Sequence, residues 1–199
     1  MAKLIPNGKY GQVELNQVAF RRDGHVEAQA ACSTVDFPRD AKGNYTKDGA
    51  KCENGMLLAV DKANNEVKFA VNSSLPIALV YSAEHMYDER HNGSLGEFYL
   101  GVDGGDFYPR LGYLTVGDIF MTNCVDASVV STASIEAGAL TSAEKVALKS
   151  ADFGAGTNGY ITDASPVFGP KLKVINDETE RGGWTMPDGS IGIKFQVIA

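Results

Sequence analysis

The residues whose types and spacing could do chemistry cluster at His85-Met-Tyr-Asp-Glu-Arg-His91, which holds two of the three histidines in the chain. On a helix, His85, Asp88 and His91 would share one side, and imidazole with carboxylate can bind zinc or a similar metal. The spacing is not that of His-Glu-x-x-His, and no remote third ligand is indicated. The plainer reading is a solvated polar loop, and no metal is expected. A serine nucleophile would need a histidine and an acid beside it. No Gly-x-Ser-x-Gly occurs, and Asn92-Gly-Ser-Leu-Gly96 lacks the leading glycine. Cys124 follows Asn123 after a predicted strand and could be nucleophilic, but a buried structural thiol is the simpler expectation. Paired carboxylates of the glycosidase kind are not specified by any pattern. No catalytic residue is therefore assigned, and a non-enzyme is expected.

Ligand-cradling motifs are equally thin. Gly154-Ala-Gly-Thr-Asn-Gly159 matches Gly-x-Gly-x-x-Gly, but no strand–helix unit surrounds it, so no phosphate cradle and no cofactor follow. Asp61-Lys-Ala-Asn-Asn-Glu66 lacks the acidic third position and the sixth-position glycine of a calcium loop. Asp103-Gly-Gly-Asp106 reads as a turn. Aromatic residues concentrate between Tyr81 and Tyr113, including Tyr87, Phe98, Tyr99, Phe107 and Tyr108. Such a group suits a glycan platform or a protein interface, although cross-strand packing explains it as well.

Charge and composition narrow the partners. Eighteen Lys plus Arg against 25 Asp plus Glu leave a net charge of −7, which disfavours nucleic acid and anionic membrane. No run of apolar residues is long enough to cross a bilayer as a helix. Met1–Gly8 has no apolar signal region, so production in a cytoplasm is expected. Cys32, Cys52 and Cys124 form no Cys-x-x-Cys, and reduced, partly buried thiols are expected.

The elements that must position these residues are mostly strands. Val13 and Leu15 alternate with polar neighbours, as do Val26–Cys32, Val67–Val71 and, most cleanly, Ile191–Val197. Leu75–Tyr81 is apolar nearly throughout, as in a strand buried on both faces. Asp61–Glu66 and Pro187-Asp-Gly189 read as hairpin turns. The expected fold is mainly β, an antiparallel barrel or sandwich with long loops and few helices, with room for a second small β subdomain. Residues 36–53 read as an exposed loop or a long hairpin and 87–109 as a long connection, and connections of that length are usually functional or contact a partner. Residues 127–142, rich in small side chains, mark the best candidate boundary. They divide the chain into an N-terminal arm at 1–17, a main β unit at 18–126, and a second β-rich part at 127–199 whose last strands could complete the main barrel. Thr141-Ser-Ala-Glu144 matches a capping box before good helix formers. A parallel between 111–122 and 137–148, both carrying Leu-Thr and then an acid, competes with it and tips 142–150 towards a strand.

Glu53–Asp61, Glu66–Ala70 and Pro76–Val80 in this order resemble structural proteins of tailed-phage virions, of the capsid decoration or cement type. Gly112–Phe120 resembles a later strand of such proteins. Gly169–Ile175, Thr185–Gly189 and Ile193–Ile198 are similar to C-termini of phage structural proteins. The resemblance covers roughly 53–122 and 169–198, contains no catalytic motif, and finds no counterpart for 36–53 or 127–160. It implies a protein made in the host cytoplasm that binds the exterior of an assembled head. The major capsid protein would be its partner, and self-association as a symmetric oligomer would accompany binding. Leu4, Ile5 and Tyr10 on the arm, with Tyr87, Phe107 and Tyr108 in the long connection, would be the partner contacts. A tail or head–tail connector component and a carbohydrate-binding module are the alternatives.

Overall fold

Alternating apolar residues do build the framework. The computed structural model describes residues 2–6, 11–17, 26–27, 31–32, 41, 52–64, 66–69, 74–81, 110–179 and 183–199. Within them the protein is mainly β, with two sheets and two short helices.

The larger sheet is assembled from both ends of the chain. Its strands are β1 (Ala2–Lys3), β2 (Val13–Gln17), β9 (Ile119–Thr122), β10 (Val125–Ala127), β11 (Asp152–Ala155), β12 (Ile161–Thr162), β13 (Phe168–Val174) and β14 (Ile193–Val197). Their order is β1-β10-β12-β11-β13-β14-β9-β2, and the sheet curves into a half-barrel. All pairings are antiparallel except β10 with β12. In β14 the period-two pattern survives intact, with Ile193, Phe195 and Val197 buried and Lys194 and Gln196 half-exposed. Phe195 lies opposite Phe120, and its ring meets those of Phe120 and Phe153 at 5.9 and 5.3 Å. Tilted and edge-on aromatic pairs of this kind add about 0.5–1.5 kcal/mol each beyond their burial.

The smaller sheet has the order β3-β8-β7-β5-β6-β4. It contains β3 (Val26–Glu27), β4 (Ala31–Cys32), β5 (Leu57–Asp61), β6 (Glu66–Lys68), β7 (Ile77–Val80) and β8 (Leu111–Gly112). The apolar run at 75–81 supplies β7, an inner strand with Ala78, Leu79 and Val80 fully buried. Asp61 closes the β5–β6 hairpin. Its carboxylate accepts from the Ala63 and Asn64 amides and from Lys68 Nζ at 2.8 Å. The Lys68 bond first, then Asn64, hold its pKa down at about 2.

Three expectations need correction. The single strand expected over Val26–Cys32 is two separate strands, because β3 pairs with β8 and β4 with β6 at opposite edges of the sheet. Residues 142–150 form a helix, not a strand. Here α1 is Thr132–Ala137 and α2 is Ser142–Ser150. The capping box is fully formed at Thr141 and Glu144, and this local signal outweighs the likeness to 111–122. Lastly, Glu53, expected at the end of an exposed loop or long hairpin, is buried, next to Cys52, a thiol expected to be partly buried.

The sheets meet through two adjoining cores. One centres on Phe120, Phe153, Phe195 and Trp184, the other on Met56, Leu58, Val67 and Tyr160. Strand membership divides the described chain between β8 and β9, with β1 and β2 joining the C-terminal half. The turn expected at Pro187-Asp-Gly189 is present. Gly189 takes φ +84°, and Met186 N–H donates to Ser190 O at 2.8 Å.

Candidate functional site

The arm residues come first. Ala2–Lys3 pairs with β10, Leu4 N–H donates to Val125 O at 2.8 Å, and the Leu4 side chain is fully buried in the larger core. Leu4, expected as a partner contact, here packs into the protein's own core. Ile5 is partly buried against the smaller core. Tyr10, Tyr87, Phe107 and Tyr108 lie outside the described residues, as do His85, Asp88, His91 and the Asp103–Asp106 turn.

Where the sheets join, a polar network crosses the apolar contact. Tyr160 O–H donates to Glu53 Oε2 at 3.1 Å, both side chains being buried. Lys3 Nζ stands 4.1 Å above the Tyr160 ring. Burial, then the Glu53 charge, push the Tyr160 hydroxyl far above its ordinary range, so it is a permanent donor and not a base. Cys124 Sγ donates to Asn54 O at 3.0 Å, and burial followed by the Glu53 charge raise its pKa well above normal. A thiol held protonated in this way is a poor nucleophile, as expected of a structural cysteine. Beyond it, Gln12 N–H donates to Asn123 Oδ1, and Asn123 Nδ2 donates to Ser190 Oγ at 3.0 Å.

The glycine-rich motif belongs to this junction. Gly159 N–H donates to Gly156 O, and Gly156 N–H to Tyr160 O, closing the β11–β12 hairpin with a left-handed residue at Gly159 (φ +80°). Leu57 N–H in turn donates to Gly159 O at 2.8 Å, which ties the smaller sheet to this turn. A Cβ on Gly159 would lie 2.9 Å from Leu58 Cδ2 and 3.2 Å from the Phe69 ring. Gly169 repeats the device: a Cβ there would lie 2.7 Å from Ile77 of β7. These glycines admit a neighbouring sheet, not a phosphate.

Compared with protein families, curated proteins and solved structures, the chain matches none of them.

A second polar centre joins the helices. The buried Glu144 carboxylate accepts from the Ser131 and Thr141 amides at 2.8 Å and from the Ser134 and Thr141 hydroxyls at 2.8 Å. Burial pushes its pKa up, but these hydrogen bonds prevail and hold it at about 2. Beside the helices a cleft of about 350 Å³ is lined by Gly138–Leu140, the Lys145–Glu178 ion pair (3.1 Å) and Trp184. Among the described residues no group of three or more His, Cys, Asp or Glu could hold a metal ion. No described helix is long and apolar enough to cross a membrane.

Of the residues that organise these centres, Thr141 and Glu144 carried the capping-box signal, and Cys124 and Gly159 stood out only as a thiol and part of a glycine motif. Glu53 and Tyr160 stand 107 positions apart, and no local pattern connects them.

Proposed function

We propose that this protein is a non-enzymatic virion structural protein of the capsid decoration type, which binds the outside of a phage head and stabilises it. One observation supports the reading. Five of the segments that resemble decoration proteins supply β5, β6 and β7 of the smaller sheet and β13 and β14 of the larger, while Gly112–Phe120 runs from the end of β8 to the start of β9. Glu53, Tyr160 and Cys124 at the junction and Glu144 between the helices are engaged in internal hydrogen bonds, as suits a rigid clamp. The partner in this reading is the major capsid protein. Binding the mature shell and not its open precursor would stabilise the shell by mass action, and many copies on a symmetric lattice would multiply modest contacts.

Mass spectrometry of purified particles tests the proposal, and the chain should be present in many copies. Its absence from virions would sink the idea. Particle imaging then separates head from tail, since density on the tail alone would replace decoration with a tail or connector role.

A further inference from the structure

The sequence contains four Asn-Gly pairs, at Asn7, Asn54, Asn92 and Asn158. Glycine after asparagine leaves the backbone nitrogen unhindered, so that nitrogen can attack the side-chain amide carbon. A C–N bond forms to Cγ, the side-chain nitrogen leaves as ammonia, and a five-membered succinimide results. Water then opens the ring to aspartate or to isoaspartate, in which the main chain runs through the side-chain carbon. The sequence is redox-neutral and needs only water.

Two of these pairs fall within the described residues, and their surroundings differ. At Asn54, the Gly55 N–H is held by Val80 O at 2.8 Å between buried neighbours, and Asn54 Oδ1 is buried. Asn158 is half-buried beside the exposed Thr157, within reach of solvent. Its Oδ1 accepts from Tyr160 N–H at 3.1 Å, which polarises Cγ, and its Nδ2 donates to Asp126 Oδ2 at 3.3 Å. The attacking nitrogen, that of Gly159, donates to Gly156 O at 3.1 Å, so the turn must open before reaction.

We propose that Asn158 is a spontaneous deamidation site whose conversion loosens the junction between the two sheets. The product carboxylate replaces a donor to Asp126 with a second negative charge, beside a side chain only 7% exposed. Isoaspartate also lengthens the main chain immediately before Gly159, whose carbonyl accepts from Leu57. Ageing at this turn is thereby transmitted to the bond that ties the sheets together.

The full-length protein is incubated in mildly alkaline buffer, alongside a free peptide spanning Gly154–Ile161 as a clock. Peptide mapping should find aspartate and isoaspartate at 158 within about a hundred half-lives of the peptide, since this packed turn must open locally before the ring can form. An intact Asn158 at that point overturns the proposal. Asn158→Asp should melt roughly 4–8 °C below the parent, the shift that about 2 kcal/mol gives in a chain of this size. An unchanged melting temperature overturns the proposed loosening. If the variant does not fold, the deamidated fraction of the parent, separated by ion exchange, supplies the same measurement.

Discussion

Two glycines with nearly the same backbone illustrate how differently the two hairpins are used. Gly159 (φ +80°) and Gly189 (φ +84°) each close a tight turn in the left-handed conformation. Around Gly189 a Cβ would meet nothing within 4 Å, whereas at Gly159 it would strike Leu58 and approach Phe69. The Gly189 turn needs glycine only for its backbone. The Gly159 turn needs it also because another sheet rests on it. A turn motif read along the chain carries the first requirement and not the second.

The largest expected effect follows from this contrast. Gly159→Ala should lose about 3–4 kcal/mol in denaturant unfolding, combining left-handed strain with overpacking. Gly189→Ala should lose only the strain, about 1–2 kcal/mol. Equal losses would mean that the sheets are not tightly docked at the β11–β12 turn.

Next come the two buried glutamates. Glu144→Gln should cost roughly 2–3 kcal/mol at neutral pH, because a charged acceptor of several hydrogen bonds is replaced by a neutral amide. The pH dependence has a definite sign. A carboxylate held at about 2, below its ordinary 4.5, contributes fully above pH 4.5 and loses that contribution as the pH falls towards 2. The unfolding free energy of the parent should therefore drop across that window, and the Gln variant should show a shallower acid limb. At the junction, Tyr160→Phe removes a donor to Glu53 and should cost about 1–3 kcal/mol in the same unfolding assay.

The smallest effect is chemical. Native Cys124 should resist alkylation and become modified only after denaturation, as read by peptide mapping. Labelling at the native rate of an exposed thiol would mean that the junction opens readily.

The alternation in β14 and the apolar run of β7 were legible because each face of a strand is decided by its nearest neighbours along the chain. The capping box at Thr141 was legible for the same reason, and a coincidental likeness between two Leu-Thr segments hid it. The split of 26–32 into β3 and β4 was not legible, since an alternating segment does not name its partner strand. Nor could Tyr160 be matched with Glu53, or Gly169 with Ile77, because those contacts exist only after the sheets dock. The partner contacts at Tyr10, Tyr87, Phe107 and Tyr108 remain expectations tied to the resemblance.

β1 and β2 lie close together in the sequence, yet they form opposite edges of the larger sheet. Thr122 Oγ1 bonds to Gln12 O across 110 residues, and β1 pairs with β10 at a similar separation. During synthesis the first strands therefore emerge well before their partners exist. Such long-range closure belongs with the slower, millisecond-to-second folding of non-local β topologies. Until residues 119–127 leave the ribosome, Leu4 and the β2 residues Val13 and Leu15 have no strand to join, and the nascent chain is most open to misassociation in that interval.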